Sequence, residues 1–288
     1  TADDSGYTAG TITVNGAAVT NFVDNGDNTY DVDYTVTEND TDVLAAAVPT
    51  ASVTLIDSVL NENTAFTTVT ESGGDVVIDA HPPTLSSVTI ASNNTSTTWA
   101  KTGDVVTVSF TANEALGGTP VVTIRGGAAA VSGAGTTWIA TYTMLITDTE
   151  GVVPFTIDFA DVATNAGVQV TGITDSSDVT FDRTAPSASS ITSIAGDNYI
   201  NNSEKAAVHV VGTAEANSTV NVTLTGGASA GPTAGSADGA GAFDITLDAT
   251  ALTDGTVTPS VTATDAAGNV STATASPTAT KDVVAPTV

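Results

Sequence analysis

The sequence predicts an all-β chain built of tandem two-sheet sandwiches. Three observations carry this: apolar residues recur at every second position, no stretch holds a helical stripe of any length, and an acid and a proline return at one offset about every hundred residues. Tyr30-Asp-Val32-Asp-Tyr34-Thr-Val36 puts apolar side chains on one face and carboxylates on the other. Trp138-Ile-Ala140-Thr-Tyr142-Thr-Met144 and Phe243-Asp-Ile245-Thr-Leu247 repeat the pattern. Such alternation is a strand with one face in a core and one in water. The next strand of each unit turns Val53 and Leu55, Ile157 and Phe159, or Val261 and Ala263 inward. Several short strands per unit with turn signals between them make a sandwich.

The repeat is anchored three times. Asp79 stands four residues before Pro83, Asp182 four before Pro186 and Asp282 four before Pro286, so the periods are 103 residues (79 to 182) and 100 residues (182 to 282). Upstream of each, an Asp precedes an Asn by four: Asp57 and Asn61, Asp161 and Asn165, Asp265 and Asn269. A third anchor is acidic, Glu114 in TANEA and Glu215 in TAEA, and the opening TADD matches it at Asp4. These anchors divide the chain at 1–83, 84–185 and 186–288. The first unit lacks counterparts of SSVTIAS (86–92) and VVTVSF (105–110), which exposes its core and a sheet edge. The expectation is a fragment of a longer chain, its opening TADDSGYTAG reading as an interior stretch; strand donation from a neighbouring subunit is the alternative.

Of 288 residues, 32 are acidic and 5 basic, a formal charge of -27. Phosphate contacts need Lys and Arg, so nucleic acid and anionic membrane surfaces are poor partners. The charge favours cations that relieve self-repulsion; adaptation to salty water explains it equally well. The absence of Cys excludes disulfides, thiolate zinc sites and thiol catalysis. No apolar run approaches the roughly 18 residues that cross a bilayer. His81 and His209 have no nucleophile at a motif spacing, so the chain reads as a non-enzyme. Trp138 belongs to the core face of its strand, and Trp99 reads as a lid on the core, with sugar stacking as its alternative. The Asn-x-Ser/Thr sequons at Asn39, Asn93, Asn94, Asn201, Asn217, Asn221 and Asn269 matter only if the source glycosylates its surface.

The endings DRTAPS and KDVVAPT, with GTAEANSTV and ATDAAGNVS between them, resemble bacterial immunoglobulin-like repeats of giant surface adhesins and surface-layer proteins. The last unit matches best and the middle one is divergent. The resemblance implies immunoglobulin-like sandwiches arranged in single file in an extracellular, cell-surface protein. In that fold the loop after the second strand, the loop between the last two strands and the end of the previous unit meet at one end. Asp79 then meets Glu114, Asp161 and Asn165, and Asp182 meets Glu215, Asp265 and Asn269. Carboxylates and an amide converging there offer only oxygen, which suits Ca2+, with magnesium second. Cadherins stiffen their junctions by similar logic. The alternative is that Asp-x-x-x-Asn closes its own loop by side-chain to backbone bonds. Asp3, Asp4, Asp57 and Asn61 would belong to a junction whose preceding unit is absent. The expected role is a stalk or filament segment stiffened by calcium, whose partners are further repeats of the same polypeptide. A surface-layer or fibre subunit that tiles with identical copies is the first alternative, and a carbohydrate-binding module the second.

Overall fold

The computed structural model describes residues 1–70 and 76–287. Among the described residues every helix or strand is a strand, and no helix is long and apolar enough to cross a membrane.

Residues 85–181 form two facing sheets and a small flanking one. One sheet runs Ala130–Ala134, Thr137–Thr143, Val105–Ala112 and Leu85–Ser92; the other runs Gly127–Ala128, Val121–Ile124 and Phe155–Asp158. The alternation decides which side chains lie between them. Along Val105–Ala112 every second residue is buried, with Val106, Val108, Phe110 and Ala112 inward and hydroxyls between. In register, Phe110 faces Trp138 on one side and Val88 on the other, and Val108 faces Ala140 and Ile90. Val122, Ile124 and Ile157 close the core from the second sheet. Trp138 is buried as expected, its indole N–H donating to the Gly135 carbonyl. Trp99 is only half-buried, because its short strand pairs in parallel with Thr180–Phe181 at the flank of the sandwich.

Residues 190–281 repeat the plan. Ser190–Ile194, Val208–Thr213 and Ala242–Leu247 make one sheet. Tyr199–Ile200, Ala279–Lys281, Gly255–Thr264, Thr219–Gly226 and Ala228–Ser236 make the other. Their core holds Val210, Val222, Leu224, Phe243, Ile245 and Val261 and draws nothing from the preceding sandwich. His209 points out of its strand toward Asp244 at 2.8 Å.

In residues 1–83 the counterpart sheets are thinner. Thr8–Val14 pairs with Ala17–Ala18 and Ala51–Ile56, while among the described residues Thr20–Asp24 pairs only with Tyr30–Asp33. The strand expected over Tyr30–Val36 ends at Asp33, since the chain turns there to bring the Tyr34 hydroxyl to Asp40 at 2.9 Å. Val53 and Leu55 are half-buried where Ile157 and Val261 are fully buried, and Phe66 is 61% exposed.

Candidate metal centre at the seam between units

Each Asp-x-x-x-Asn pair closes a loop in the same way. The Asn165 N–H and side-chain amide donate to the two Asp161 carboxylate oxygens at 2.8 Å each. Asn269 does so to Asp265 at 2.8 and 2.9 Å, and Asn61 to Asp57 at 2.8 Å twice. The local-closure reading of these pairs is therefore satisfied in all three units. In two of them the asparagine also reaches backward. Asn165 Nδ2 donates to the Asp79 carbonyl at 2.9 Å, and Asn269 Nδ2 to the Asp182 carbonyl at 3.0 Å. The same amide thus closes its own loop and ties it to the residue that ends the preceding unit. Pro83 and Pro186, four residues beyond those carbonyls, are buried at the seams, whereas Pro286 is exposed.

The first seam gathers carboxylates. Oxygens of Asp79, Glu114 and Asp161 lie within 4.8 Å of one another, Asp161 being buried and the others half-buried. The loop after Val105–Ala112 explains how Glu114 arrives there. It runs eight residues to Val121, and Gly117 presses so closely on the other loop that a Cβ would stand 2.1 Å from the Asp161 carbonyl oxygen. The Gly117 N–H donates to the Ala160 carbonyl at 3.0 Å, and Leu116 bridges Asp161. Burial first, then the charges of Asp79 and Asp161, push the Glu114 carboxyl above the ordinary glutamate range. His81 stands beside the group but makes its short contact with Asp42, at 2.9 Å.

The second seam is built differently. Its loop after Val208–Thr213 has five residues before Thr219, and Ser218 folds it tightly by donating to the Glu215 carbonyl. Glu215 is exposed as a result, and among the described residues it joins no group of three acids able to hold an ion. Asp182 and Asp265 do interact. Burial, opposed by a hydrogen bond from the Thr184 N–H, and then the Asp265 and Glu150 charges leave the Asp182 carboxyl raised. Asn94 Nδ2 crosses this seam to the Ala267 carbonyl at 2.8 Å and also donates to Asp104 at 2.7 Å. Lys101 Nζ lies 3.4 Å from Asp104, so this seam brings its own cation. The sequence anchors did not single out Asn94, Lys101, Asp104 or Glu150, because none stands in the thrice-repeated pattern. At the open N-terminal end, Asp3 accepts from the Tyr7 hydroxyl at 2.9 Å.

Replacing Asn269 by Ala removes the side-chain bonds to the Asp182 carbonyl and to Asp265 Oδ2, while the backbone N–H bond to Asp265 Oδ1 stays. Each such bond is worth on the order of 1 kcal/mol, and the part-buried Asp265 loses one donor. Asn269→Ala should lower the stability of the third unit by about 1–3 kcal/mol in calorimetry.

Paired sheets with these loop positions define the class: immunoglobulin-like β-sandwich repeats. Residues 185–280, the last unit, match the family model described as a bacterial Ig domain. No curated protein matches the chain. Among solved structures, the fibronectin(III)-like modules of Clostridium thermocellum CbhA are 14% identical, with a TM-score of 0.34, over 70% of this chain and 93% of theirs. The major pilin subunit BcpA of Bacillus cereus is 10% identical, with a TM-score of 0.22, over 82% of this chain and 83% of its own. Bacteroides ovatus SGBP-B, solved in complex with a mixed-linkage heptasaccharide, is 16% identical, with a TM-score of 0.22, over 98% of this chain and 61% of its own. At these scores what those proteins bind or build remains theirs.

Proposed function

We propose that this chain is a mechanical segment of an extracellular surface protein, a stalk or filament of immunoglobulin-like units divided at 1–83, 84–185 and 186–288. Calcium at the Asp79–Glu114–Asp161 seam sets how far neighbouring units can swing. The observation that carries this reading is the convergence of three carboxylates within 4.8 Å on the residue joining two units. Two oxygens on one calcium, each about 2.3–2.6 Å from it, stand up to about 5 Å apart, so the spacing fits. The donors are hard oxygens only, which favours calcium over zinc or copper. Bound there, the ion would supply the charge that lets the carboxylates approach. Asp79, Glu114 and Asp161 would hold it, and Asn165 fixes the loop that carries Asp161. At the second seam, Asp182 and Asp265 with Lys101 and Asn94 nearby make a joint that is tied without an added ion, and exposed Glu215 contributes nothing to it. Further repeats of the same polypeptide are the partners of such a segment, and nothing in its histidine environments supports catalysis.

The test is small-angle scattering of the 288-residue chain with calcium and with chelator. Calcium should sharpen the distribution of end-to-end lengths and raise the melting temperature of the second unit, whose loops carry Glu114 and Asp161. Identical curves in both conditions would rule out calcium stiffening. A lattice or fibre in micrographs would favour tiling over a stalk.

A further inference from the structure

The sequence holds two Asn-Gly pairs, Asn15-Gly16 and Asn25-Gly26. Glycine has no Cβ to keep its nitrogen away from the preceding carboxamide. That nitrogen can attack the Asn Cγ, close a cyclic imide and expel ammonia, provided the asparagine is free to turn. Asn15 is not free. With Gly16 it forms the two-residue turn between Thr8–Val14 and Ala17–Ala18, at φ of 54° and 83°, the mirror-image turn that Asn-Gly favours. It is 9% exposed, its Nδ2 donates to the Thr41 carbonyl at 2.5 Å, and its N–H donates to the Thr50 carbonyl at 2.6 Å. Ring closure there would break these bonds.

Asn25 stands in the loop that joins Thr20–Asp24 to Tyr30–Asp33, exposed together with Asp24 and Gly26. The Gly26 N–H donates to Asp24 Oδ1 at 2.9 Å, and the Gly6 N–H fixes the other oxygen of that carboxylate at 2.6 Å. A proton acceptor thus lies on the nitrogen that must lose its proton, at the range a general base needs. Asn25 Nδ2 donates to Thr29 Oγ1 at 3.1 Å, and the Thr29 hydroxyl proton points away to Asp27, so a lone pair faces the leaving nitrogen. This exposure does not depend on what precedes residue 1. Tyr34 and Tyr142 each donate to an Asp six residues on, which lays the loop before Tyr30 on the loop before Trp138. There Gly135 and Thr136 are exposed although residues 1–83 precede that unit, and Gly239 and Ala240 are exposed in the third.

We propose that Asn25 is a site of self-modification, deamidated by the Gly26 nitrogen with Asp24 positioning that nitrogen and taking its proton. The Gly26 nitrogen bonds to Asn25 Cγ and the Cγ–Nδ2 bond breaks. The Gly26 proton passes through Asp24 to the departing nitrogen, which leaves as ammonia. Water then opens the imide at either carbonyl, giving aspartate or its isomer with the main chain routed through the side chain. Nothing is oxidised or reduced, and water is the co-reactant. Each event sets a further carboxylate between Asp24 and Asp27, and the isomer also lengthens the turn by one methylene. The calcium reading concerns the other end of the unit, and neither inference rests on the other.

The 288-residue chain is incubated near neutral pH, and conversion at Asn15 and Asn25 is followed by peptide mass spectrometry and an isoaspartate assay. Asn25 should convert at least tenfold faster than Asn15. A free peptide copying residues 20–31, TNFVDNGDNTYD, gives the rate without the fold, and Asn25 in the chain should match or exceed it. Asp24→Ser should slow conversion at least threefold in the chain and leave a peptide carrying the same change at the rate of the unsubstituted peptide. A purely local sequence effect would move both. Gly26→Ala should slow chain and peptide alike at least tenfold; a Cβ there meets nothing within 4 Å, so packing is untouched. Equal conversion of Asn15 and Asn25, a slower rate in the chain than in the peptide, or an Asp24→Ser chain as fast as the unsubstituted one overturns the proposal. The first two comparisons use the unsubstituted chain and decide even if a variant misfolds.

Discussion

Phe110→Ala is expected to lower the stability of the second unit by about 3–5 kcal/mol and to leave the third unit's transition where it was. The ring is 2% exposed, flanked in register by Trp138 and Val88, and sits where both sheets converge. Truncation removes the transfer free energy of a buried ring and leaves a cavity that a two-sheet core cannot collapse around. For a unit of about 100 residues a loss of that size lowers the melting temperature by well over 10 °C, roughly 4–8 °C for each kcal/mol. The third core contains none of the residues of the second. What joins them is a few polar contacts at the seam, chiefly Asn269 to Asp182 and Asn94 to Ala267. Differential scanning calorimetry of the whole chain therefore should show one transition moving and another staying. If both fell together, the units would form a single cooperative core and the division at residue 186 would fail.

How much of this was legible in the sequence follows from which forces are local. Period-two alternation reports the burial of a strand directly, so Thr137–Thr143 and Ala242–Leu247 could be placed with their inward faces. The Asp-x-x-x-Asn spacing was equally readable, because the bonds it makes span four residues. The two seams looked alike in sequence because both carry an acid in the loop after the second strand. They differ because loop length decides where that acid points. Eight residues with Gly117 fold across Asp161 and carry Glu114 inward, whereas five residues tightened by Ser218 leave Glu215 in water. Lys101 and Asn94 were invisible for a related reason. The Asn94 contact with Ala267 spans 173 positions through no repeated motif, and Lys101 pairs with Asp104, which no repeated anchor marks.

Glu114→Gln should stabilise the calcium-free chain and abolish most of its response to calcium. In the folded state burial and two neighbouring carboxylates hold the Glu114 carboxyl above its ordinary range. The native seam thus binds a proton more tightly than the unfolded chain does. Stability without calcium should accordingly rise as pH falls from neutrality through the raised value, with the gain complete below the ordinary glutamate value. Glutamine makes that change permanent. Calcium acts in the opposite sense, since it needs the carboxylates ionised: its increment is largest at neutral pH and disappears on acidification. At a free concentration a hundredfold above its dissociation constant the ion adds about 2.7 kcal/mol. Melting curves with calcium and with chelator should therefore stand apart at pH 7 and converge toward acid pH, and for Glu114→Gln they should nearly coincide throughout. Asp161→Asn separates charge relief from loss of a built contact. That carboxylate is 2% exposed and accepts from both the N–H and the amide of Asn165, so replacing one oxygen by a donor sets two N–H groups against each other. It should destabilise the chain with or without calcium. Curves that remain parallel across pH in the unsubstituted protein would mean that the three acids meet at the seam without an ion to hold.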